Sequence, residues 1–123
     1  MRAILLVDDE VFVLKAVKMV VSRRRPDWHV VAVGSAKDAL AELARAAYDV
    51  VVSDMRMPGM DGAELLACVR DVQPAARRLI LTGHAERAVM DRAFEVAHVV
   101  LEKPCGAKEL LECIERELAT FGN

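Results

Sequence analysis

The chain has 123 residues, 54% of them apolar, which is enough for one compact domain with its own core and hardly enough for two. Seventeen basic and nineteen acidic side chains leave a net charge of -2, so composition gives no electrostatic reason to expect binding to nucleic acid or to an anionic membrane. Three cysteines without a Cys-x-x-Cys or Cys/His ligand spacing indicate neither a disulfide framework nor a zinc site, and they fit the reducing cytoplasm.

Short apolar runs alternate with helical patterns along the whole chain. The first strand is predicted over 3–7, an apolar run too short for a signal sequence. Further strands are predicted over 28–33, 49–53, 78–81 and 99–101. Apolar residues at helical spacing predict helices over 11–24, 36–46, 63–71, 86–97 and 108–119. This alternation predicts right-handed crossovers and an α/β fold, a parallel sheet with helices on both faces.

Two of the predicted helices carry further signals. In the first, only Lys15, Lys18 and Ser22 recur among apolar residues before the basic end, which predicts a largely buried helix. The run 23–25 is basic and predicts a solvated helix terminus that complements the helix dipole. Ser35 is placed to cap the second helix.

The segment 50–62 is the centre of the pattern. A β-branched run typical of a buried parallel strand stops at Asp54, and the Pro58-Gly59 turn signal follows. Ligands of open α/β sheets bind outside the carboxyl ends of the strands, so Asp54 is a candidate site residue. The alternative is an aspartate that merely begins a turn.

Polar residues also follow the other predicted strands, and in a parallel sheet these strand ends meet at one edge. The set comprises Asp8, Asp9, Asp54, Thr82 and Lys103. Carboxylates, a hydroxyl and an ammonium group together suit a hard divalent cation and a phosphoryl group, with Asp54 as the nucleophile that forms an aspartyl phosphate. Taken singly, each residue also has a structural interpretation, as a helix cap, a strand-end hydroxyl or a surface lysine.

These motifs resemble the receiver domain of two-component response regulators. The resemblance covers nearly the whole chain and rests on the segments 8–10, 53–62, 81–83 and 103–104. The contexts 81–84, 97–98 and 103–105 look most like receivers that precede HD-related (HDOD or HD-GYP) output domains. Residues 1–123 would then be a single receiver domain, either stand-alone or part of a longer protein.

The resemblance implies a flavodoxin-like sheet of order 2-1-3-4-5 with Asp54 as the phosphoacceptor. Asp9 and Asp54 would bind Mg²⁺ directly, Asp8 would act largely through water, and the backbone carbonyl of Arg56 would be a further ligand.

On the other side of the acceptor, Thr82 would hydrogen-bond to the phosphoryl group and Lys103 would pair with it. The Lys103–Pro104 peptide bond would be cis.

The implied function is regulatory and cytoplasmic, without direct contact to nucleic acid or membrane. A histidine kinase would phosphorylate the domain, which would support its own Mg²⁺-dependent phosphorylation and dephosphorylation without being an enzyme in the ordinary sense. Arg56 and His84 would tune the lifetime of the phosphoryl group. The signal would pass to an output domain or a downstream protein, and a homodimer is left open.

One position departs from the family pattern. Three residues before the site lysine, receivers usually have Tyr or Phe as an aromatic switch, whereas this chain has Val100. Valine is stiff at χ1 and too short for the usual rotamer change, so we expect the signal to travel through the 83–86 loop and the following helix. There Met90 and Phe94 would form a partly exposed patch beside an inward stripe of Val89, Ala93 and Val96.

Two other functions remain as alternatives. A phosphatase of the haloacid dehalogenase type also groups Asp, Thr, Lys and Mg²⁺, but it needs Asp-x-Asp on the first strand and usually a cap domain, and here the third strand carries Asp54-Met55-Arg56. A pseudo-receiver would act only as an interaction surface, and the complete acidic set argues against it.

Overall fold

The structure, a computed structural model, describes residues 1–83 and 87–121, which form a parallel sheet with helices on both faces. The strands are β1 (Ala3–Val7), β2 (His29–Val33), β3 (Val50–Asp54), β4 (Arg77–Thr82) and β5 (Val99–Glu102). The helices are α1 (Val11–Arg24), α2 (Ala36–Arg45), α3 (Gly62–Val72), α4 (Arg87–Val96) and α5 (Ala107–Phe121). The strand order β2-β1-β3-β4-β5 confirms the predicted fold.

The observed elements match the predicted ones, with boundaries that differ by one or two residues. The most useful differences are at the carboxyl ends of β3 and β4, which each extend by one residue. Asp54 pairs with Leu81 and Thr82 pairs with Glu102 in the sheet ladder. Both candidate site residues are therefore the last residues of strands and are held by the sheet itself. The predicted start of the fourth helix, at 86, lies outside the described residues.

Alternating side chains of the strands divide the core into two clusters. Leu5, Val51 and Ile80 point to the face covered by α2, α3 and α4, whereas Ile4, Val50 and Leu79 point to the face covered by α1 and α5. Because side chains alternate along a strand and both faces are covered, every residue of β3 is buried. The sheet is thus a rigid support for the residues at its edges.

Helix α1 is not the largely buried helix that the sequence predicted. Leu14 and Val21 are its only buried residues, whereas Phe12 is 87% and Met19 is 50% exposed. The apolar residues of this helix lie on all of its faces, so their spacing does not distinguish a core face from a solvent face. Burial was therefore overestimated from composition.

We call the end of the sheet where the strands begin its amino edge and the opposite end its carboxyl edge. At the amino edge, polar groups bond to one another within the protein. Arg77 Nε lies 2.9 Å from Glu117 Oε1, and the buried Arg78 donates from Nε to Val96 O at 2.7 Å. The backbone N–H of Arg78 donates to His98 Nδ1 at 2.9 Å. These bonds join β4 to α5, to the last residue of α4 and to the turn before β5, at the end of the sheet opposite Asp54.

Trp28, the one tryptophan of the chain, also lies at this amino edge, directly before β2. It is 6% exposed, and the Arg25 guanidinium lies 4.3 Å from its ring centroid. Arg25 also bonds Asp27 and Glu115 and is half-buried, so of the predicted solvated run only Arg23 and Arg24 are exposed. In the described part of the chain, no helix combines the length and apolar character needed to cross a membrane.

Candidate functional site

Asp54 lies at the carboxyl end of the central strand, as the sequence predicted, and it is only 4% exposed. The backbone N–H of the next residue, Met55, donates to Leu81 O at 2.7 Å, so the chain stays on the sheet until just after the carboxylate. Ser53 Oγ donates to the Asp54 carbonyl at 2.9 Å. These bonds fix the backbone of Asp54, and its carboxylate points into the cavity at the sheet edge.

Lys103 is the cation of the site. Its Nζ lies 2.7 Å from Asp54 Oδ1, and its backbone N–H donates to Thr82 O at 2.7 Å. The Lys103–Pro104 peptide bond is cis, as the family resemblance implied. Three strand ends thus bring together Asp54, Thr82 and Lys103, which are far apart in the sequence.

Three carboxylates form an acidic cluster beside this pair. Asp8, Glu10 and Asp54 each offer an oxygen, and these oxygens lie within 4.8 Å of one another. Asp8 is buried, and its Oδ1 accepts the backbone N–H of Glu10 at 2.9 Å, which turns the Glu10 side chain back to the site. Asp9 is exposed and lines the cavity, but it is not a member of the cluster.

Glu10 is therefore a site residue that the sequence reasoning missed. It lies within the acidic run 8–10, and the pattern does not show which of three consecutive carboxylates faces the strand ends. The signal that could have found it is the Asx turn at Asp8, in which the side chain accepts the N–H two residues later.

The electrostatics of the site follow from its burial and its excess of acid. Burial raises the pKa of Asp54, with a further contribution from Asp8 and Asp9, and the Lys103 hydrogen bond only partly opposes this. For Lys103, burial lowers the pKa, but the hydrogen bond and charge of Asp54, together with Asp8 and Glu10, outweigh it and leave the pKa raised. Lys103 is thus a firmly charged cation among carboxylates.

A cavity of about 280 Å³ opens in front of these groups. Thr82, 2% exposed, lines it, and Thr82 Oγ1 makes only a long 3.3 Å hydrogen bond to Gly83 O. Arg56 is exposed at its rim. The cavity therefore presents carboxylates, one ammonium and one weakly bonded hydroxyl to whatever enters it. His84 lies outside the described residues.

The loop after Asp54 contains a second residue that the sequence did not reveal. A Cβ atom added to Gly62 would lie 2.3 Å from the Asp54 carbonyl oxygen, closer than real Cβ atoms approach. The Gly62 N–H donates to Met55 O at 2.9 Å. Gly59, with φ of 76°, makes the predicted turn. Gly62 thus allows α3 to begin directly against the backbone of the acceptor residue.

Asp61 joins this loop to α4. Its Oδ1 accepts the Glu64 N–H at 2.9 Å in a capping box that begins α3, and its Oδ2 lies 2.9 Å from Arg92 Nη2. Between Arg56 and Arg92 is a cleft of about 460 Å³, which shares Asp9, Met55, Arg56 and Val89 with the acceptor cavity. Helix α4 is therefore connected to the loop next to the acceptor by a partly exposed ion pair.

The predicted output helix shows the expected distribution of side chains. Phe94 is 63% exposed and Met90 is half-buried, whereas Ala93 and Val96 of the inward stripe are buried and its third member, Val89, is half-buried. Val100 is half-buried and packs against the core cluster beneath α4.

Residues 4–115 match the family described as Response regulator receiver domain. The chain belongs to this family. Receiver domains are the phosphoacceptor modules of two-component signalling, where they act with histidine kinases and output domains and bind Mg²⁺ at an acidic pocket. They are regulatory domains, so the family match argues against the phosphatase alternative.

Relatives and solved structures agree with this assignment. The Response regulator protein FleR of Pseudomonas aeruginosa is 42% identical over 90 residues, which cover 70% of this chain and 18% of that protein. A CheY-like receiver domain protein from Methanospirillum hungatei JF-1 superposes with a TM-score of 0.90 at 25% identity, over 98% of this chain and 95% of that one.

A third similar protein is the signal receiver domain of an HD domain-containing protein from Pseudomonas fluorescens Pf-5. Its TM-score is 0.87 at 29% identity, with 97% of this chain and 95% of that chain covered. The chain spans about a fifth to a third of the length of the curated relatives it matches first.

Proposed function

We propose that Asp54 is the phosphoacceptor of a two-component receiver and takes its phosphoryl group from a histidine kinase in a Mg²⁺-dependent reaction. The observation that carries this proposal is the ammonium of Lys103 at 2.7 Å from Asp54 Oδ1, with Asp8 and Glu10 on the other side. An oxygen of Asp54 forms the new bond to phosphorus as the bond between phosphorus and the donor imidazole breaks. Lys103 neutralises charge on the transferred group, and Thr82 donates a hydrogen bond to it.

The donor set fits Mg²⁺. Three carboxylate oxygens within 4.8 Å of one another and a single ammonium leave an excess of negative charge, and hard oxygen ligands are those Mg²⁺ prefers. Asp8, Asp9 and Asp54 would hold the ion together with the Arg56 carbonyl, and Glu10 adds a carboxylate to this set. When bound, the ion supplies positive charge that offsets the repulsion between the acidic cluster and the incoming phosphoryl group.

The test is intact-mass analysis after incubation with acetyl phosphate and Mg²⁺. We expect one phosphoryl adduct on the wild-type chain, none with Asp54→Asn, and none in excess EDTA. Asp38→Asn, an exposed aspartate on α2, is the matched control and should be labelled like wild type. An adduct on Asp54→Asn would refute the acceptor assignment, and labelling in EDTA would refute the metal requirement. Absence of turnover of phosphate esters would separate the receiver from a phosphatase.

We further propose that residues 1–123 act as one receiver domain in the cytoplasm, that Arg56 and His84 set the lifetime of the phosphoryl group, and that the domain supports its own dephosphorylation. Arg56 is exposed and lines the cavity, where it would flank the path of an attacking water, which supports its role. An Arg56→Ala, His84→Ala double variant should lose its phosphoryl group at a different rate from wild type. Equal lifetimes would count against this role.

The signal is proposed to leave through α4, because Val100 cannot make the aromatic rotamer change. The exposed Phe94 and the half-buried Met90 beside it support a contact surface for the next partner. Beryllofluoride, a phosphoryl mimic, should shift amide resonances most strongly over 82–97 and less around Val100. Shifts confined to the metal ligands would contradict this route.

The partner at this surface is proposed to be an HD-related output domain, in the same protein or downstream. The similar fold of a receiver from an HD domain-containing protein supports this choice. The test is to read which output domain is encoded in the same reading frame as this chain or in the neighbouring genes. An output domain of another class there would refute it.

A further inference from the structure

The cleft between the loop after β3 and helix α4 is not used by the phosphoryl site. Its volume is about 460 Å³, compared with about 280 Å³ for the acceptor cavity. Four residues line both spaces, namely Asp9, Met55, Arg56 and Val89, so the cleft adjoins the acceptor cavity. A molecule that brings a phosphoryl group to Asp54 and is larger than that group therefore has room to extend into the cleft.

Two arginines line this cleft. Arg56 is exposed on the side shared with the acceptor cavity, and within residues 1–83 and 87–121 it makes no ion pair. Arg92 lies on the α4 side, and its side chain is 47% exposed. Its Nη2 lies 2.9 Å from Asp61 Oδ2 and 3.3 Å from Asp61 Oδ1. Both contacts use one nitrogen, so Asp61 orients the guanidinium and leaves Nε and Nη1 without a hydrogen bond in the described part of the chain.

The charges of the cleft favour an anion on the side away from the acceptor. Asp9 belongs to the shared side, among the carboxylates proposed to hold the metal ion. Among the described lining residues, this leaves Arg56 and Arg92 opposed by Asp61, which also accepts the Glu64 N–H. Guanidinium groups bind phosphates and carboxylates through parallel, charge-assisted hydrogen bonds. A phosphate suits the cleft better than a carboxylate, because it carries about two charges and three acceptor oxygens.

We propose that the cleft binds the far end of a small acyl phosphate that carries a second phosphate group, and that Arg92 sets this preference among phosphoryl donors. The inference rests on the proposed phosphoacceptor role of Asp54. An oxygen of Asp54 forms the bond to phosphorus as the bond between phosphorus and the acyl oxygen breaks, and the electron pair of that bond stays on the departing carboxylate. Meanwhile Arg92 donates hydrogen bonds to the second phosphate, and Arg56 lines the passage between the two phosphorus sites.

Two acyl phosphates of similar length test the preference. The first, 3-phosphoglyceroyl phosphate, has a phosphate at its far end, and the second, butyryl phosphate, has a methyl group there. Intact-mass analysis at equal free Mg²⁺ should show labelling about fivefold faster with the first, the gain expected from one partly exposed charge contact. Equal rates with both would overturn the inference and leave the proposed function intact. Absence of labelling with both would overturn the inference and the proposed function together.

Three variants test whether Arg92 causes the preference. Arg92→Gln should reduce the ratio of the two labelling rates to about one, and Arg92→Lys should keep part of the preference because the charge remains. Arg70→Gln removes an exposed arginine of α3 that does not line the cleft, so it is the matched control and should keep the wild-type ratio. An equal loss of rate with both acyl phosphates in Arg92→Gln would show a purely structural role for Arg92 and overturn the proposal.

Asp61→Asn should change the ratio in the opposite direction. The asparagine oxygen still accepts the Glu64 N–H and caps α3, but the negative charge beside Arg92 is lost. The ratio of the two labelling rates should therefore rise above the wild-type value, because Asp61 no longer competes with the second phosphate for Arg92. A structural role for the ion pair predicts no such rise. A ratio at or below the wild-type value would refute the assignment of Arg92 to the second phosphate.

Discussion

The two edges of the sheet use charged residues in opposite ways. At the amino edge, charged groups have partners within the protein: Arg77 pairs with Glu117, Arg78 donates to Val96 O, and Asp49 accepts the Ala3 N–H at 2.8 Å. At the carboxyl edge, three carboxylates face one ammonium.

This difference separates stability from function within one small fold. Polar groups satisfied by the protein connect elements and contribute to the free energy of unfolding. Burial, with a further contribution from Asp8 and Asp9, raises the pKa of Asp54, and acidic groups left in excess are available to a cation and a phosphoryl group. Substitutions at the amino edge should therefore change stability without changing phosphorylation, and substitutions at the carboxyl edge should change phosphorylation first.

Gly62→Ala should have the largest effect and should break this separation, because it acts on both properties. The new Cβ would meet the Asp54 carbonyl at 2.3 Å, so α3 or the acceptor must move. We expect a loss of about 3 kcal/mol in the free energy of unfolding. The acetyl phosphate labelling rate should fall at least about tenfold through misplacement of Asp54.

Gly106→Ala is the control for this substitution, since a Cβ there meets nothing within 4 Å. Urea unfolding and labelling kinetics measure the two effects. Wild-type labelling by Gly62→Ala would show that the close approach does not position the acceptor.

Arg78→Ala should lower the free energy of unfolding by about 2 kcal/mol, because Val96 O loses a charged donor in a buried setting. Its labelling rate should equal that of wild type, since Arg78 lies at the opposite edge from Asp54. Arg70→Ala, an exposed arginine on α3, serves as the control in urea unfolding. A changed labelling rate in Arg78→Ala would show that the two edges are coupled.

Asp61→Ala should cost about 1 kcal/mol through loss of the capping box at α3. Arg92→Ala should cost less than about 0.5 kcal/mol, because the ion pair with Asp61 is partly exposed. Thermal unfolding of both variants compares the cap with the pair. A cost for Arg92→Ala equal to that for Asp61→Ala would mean that the ion pair, and not the cap, holds this loop.

The smallest effect is expected from pH at the amino edge. Burial, together with the charges of Arg78 and Arg77, lowers the pKa of His98 below its usual 6.5, and the neutral ring accepts the Arg78 N–H. The unfolded chain therefore binds more protons below about pH 6.5 than the folded chain does, so stability should fall as the pH drops through that value.

His98→Gln removes this titration and should flatten the dependence of the free energy of unfolding on pH between about 5 and 7. Urea unfolding at several pH values measures it. An unchanged slope in the variant would assign the dependence to other groups.

The sequence predicted much of the candidate site because that part depends on local pattern and on one topological rule. A β-branched run that stops at Asp54 is visible without a structure, and parallel strands bring Asp54, Thr82 and Lys103 to one edge. Gly62 could not be predicted in the same way. No Cβ atom fits at this position because the backbone of Asp54, eight residues earlier, lies against it.

Helix α1 shows the other limit of sequence reasoning. Hydrophobic period identifies a core face only when the remaining faces are polar, and the exposed Phe12 and Met19 remove that contrast. Glu10 was missed for a related reason, since the turn at Asp8 brings its carboxylate to the cluster. Pattern identifies the elements, but the orientation of loop residues depends on backbone bonds that leave little trace in composition.

The position of Trp28 determines what intrinsic fluorescence can report. It is the one tryptophan of the chain, is shielded from solvent, and lies at the amino edge, about 16 Å along the strands from the acidic cluster. Its emission should be blue-shifted in the folded chain and should move to longer wavelength on unfolding, which gives a label-free signal for the denaturation experiments. Adding Mg²⁺ should leave that emission unchanged, so tryptophan fluorescence reports folding alone in this protein. Metal binding must instead be followed by NMR chemical shifts or by mass spectrometry.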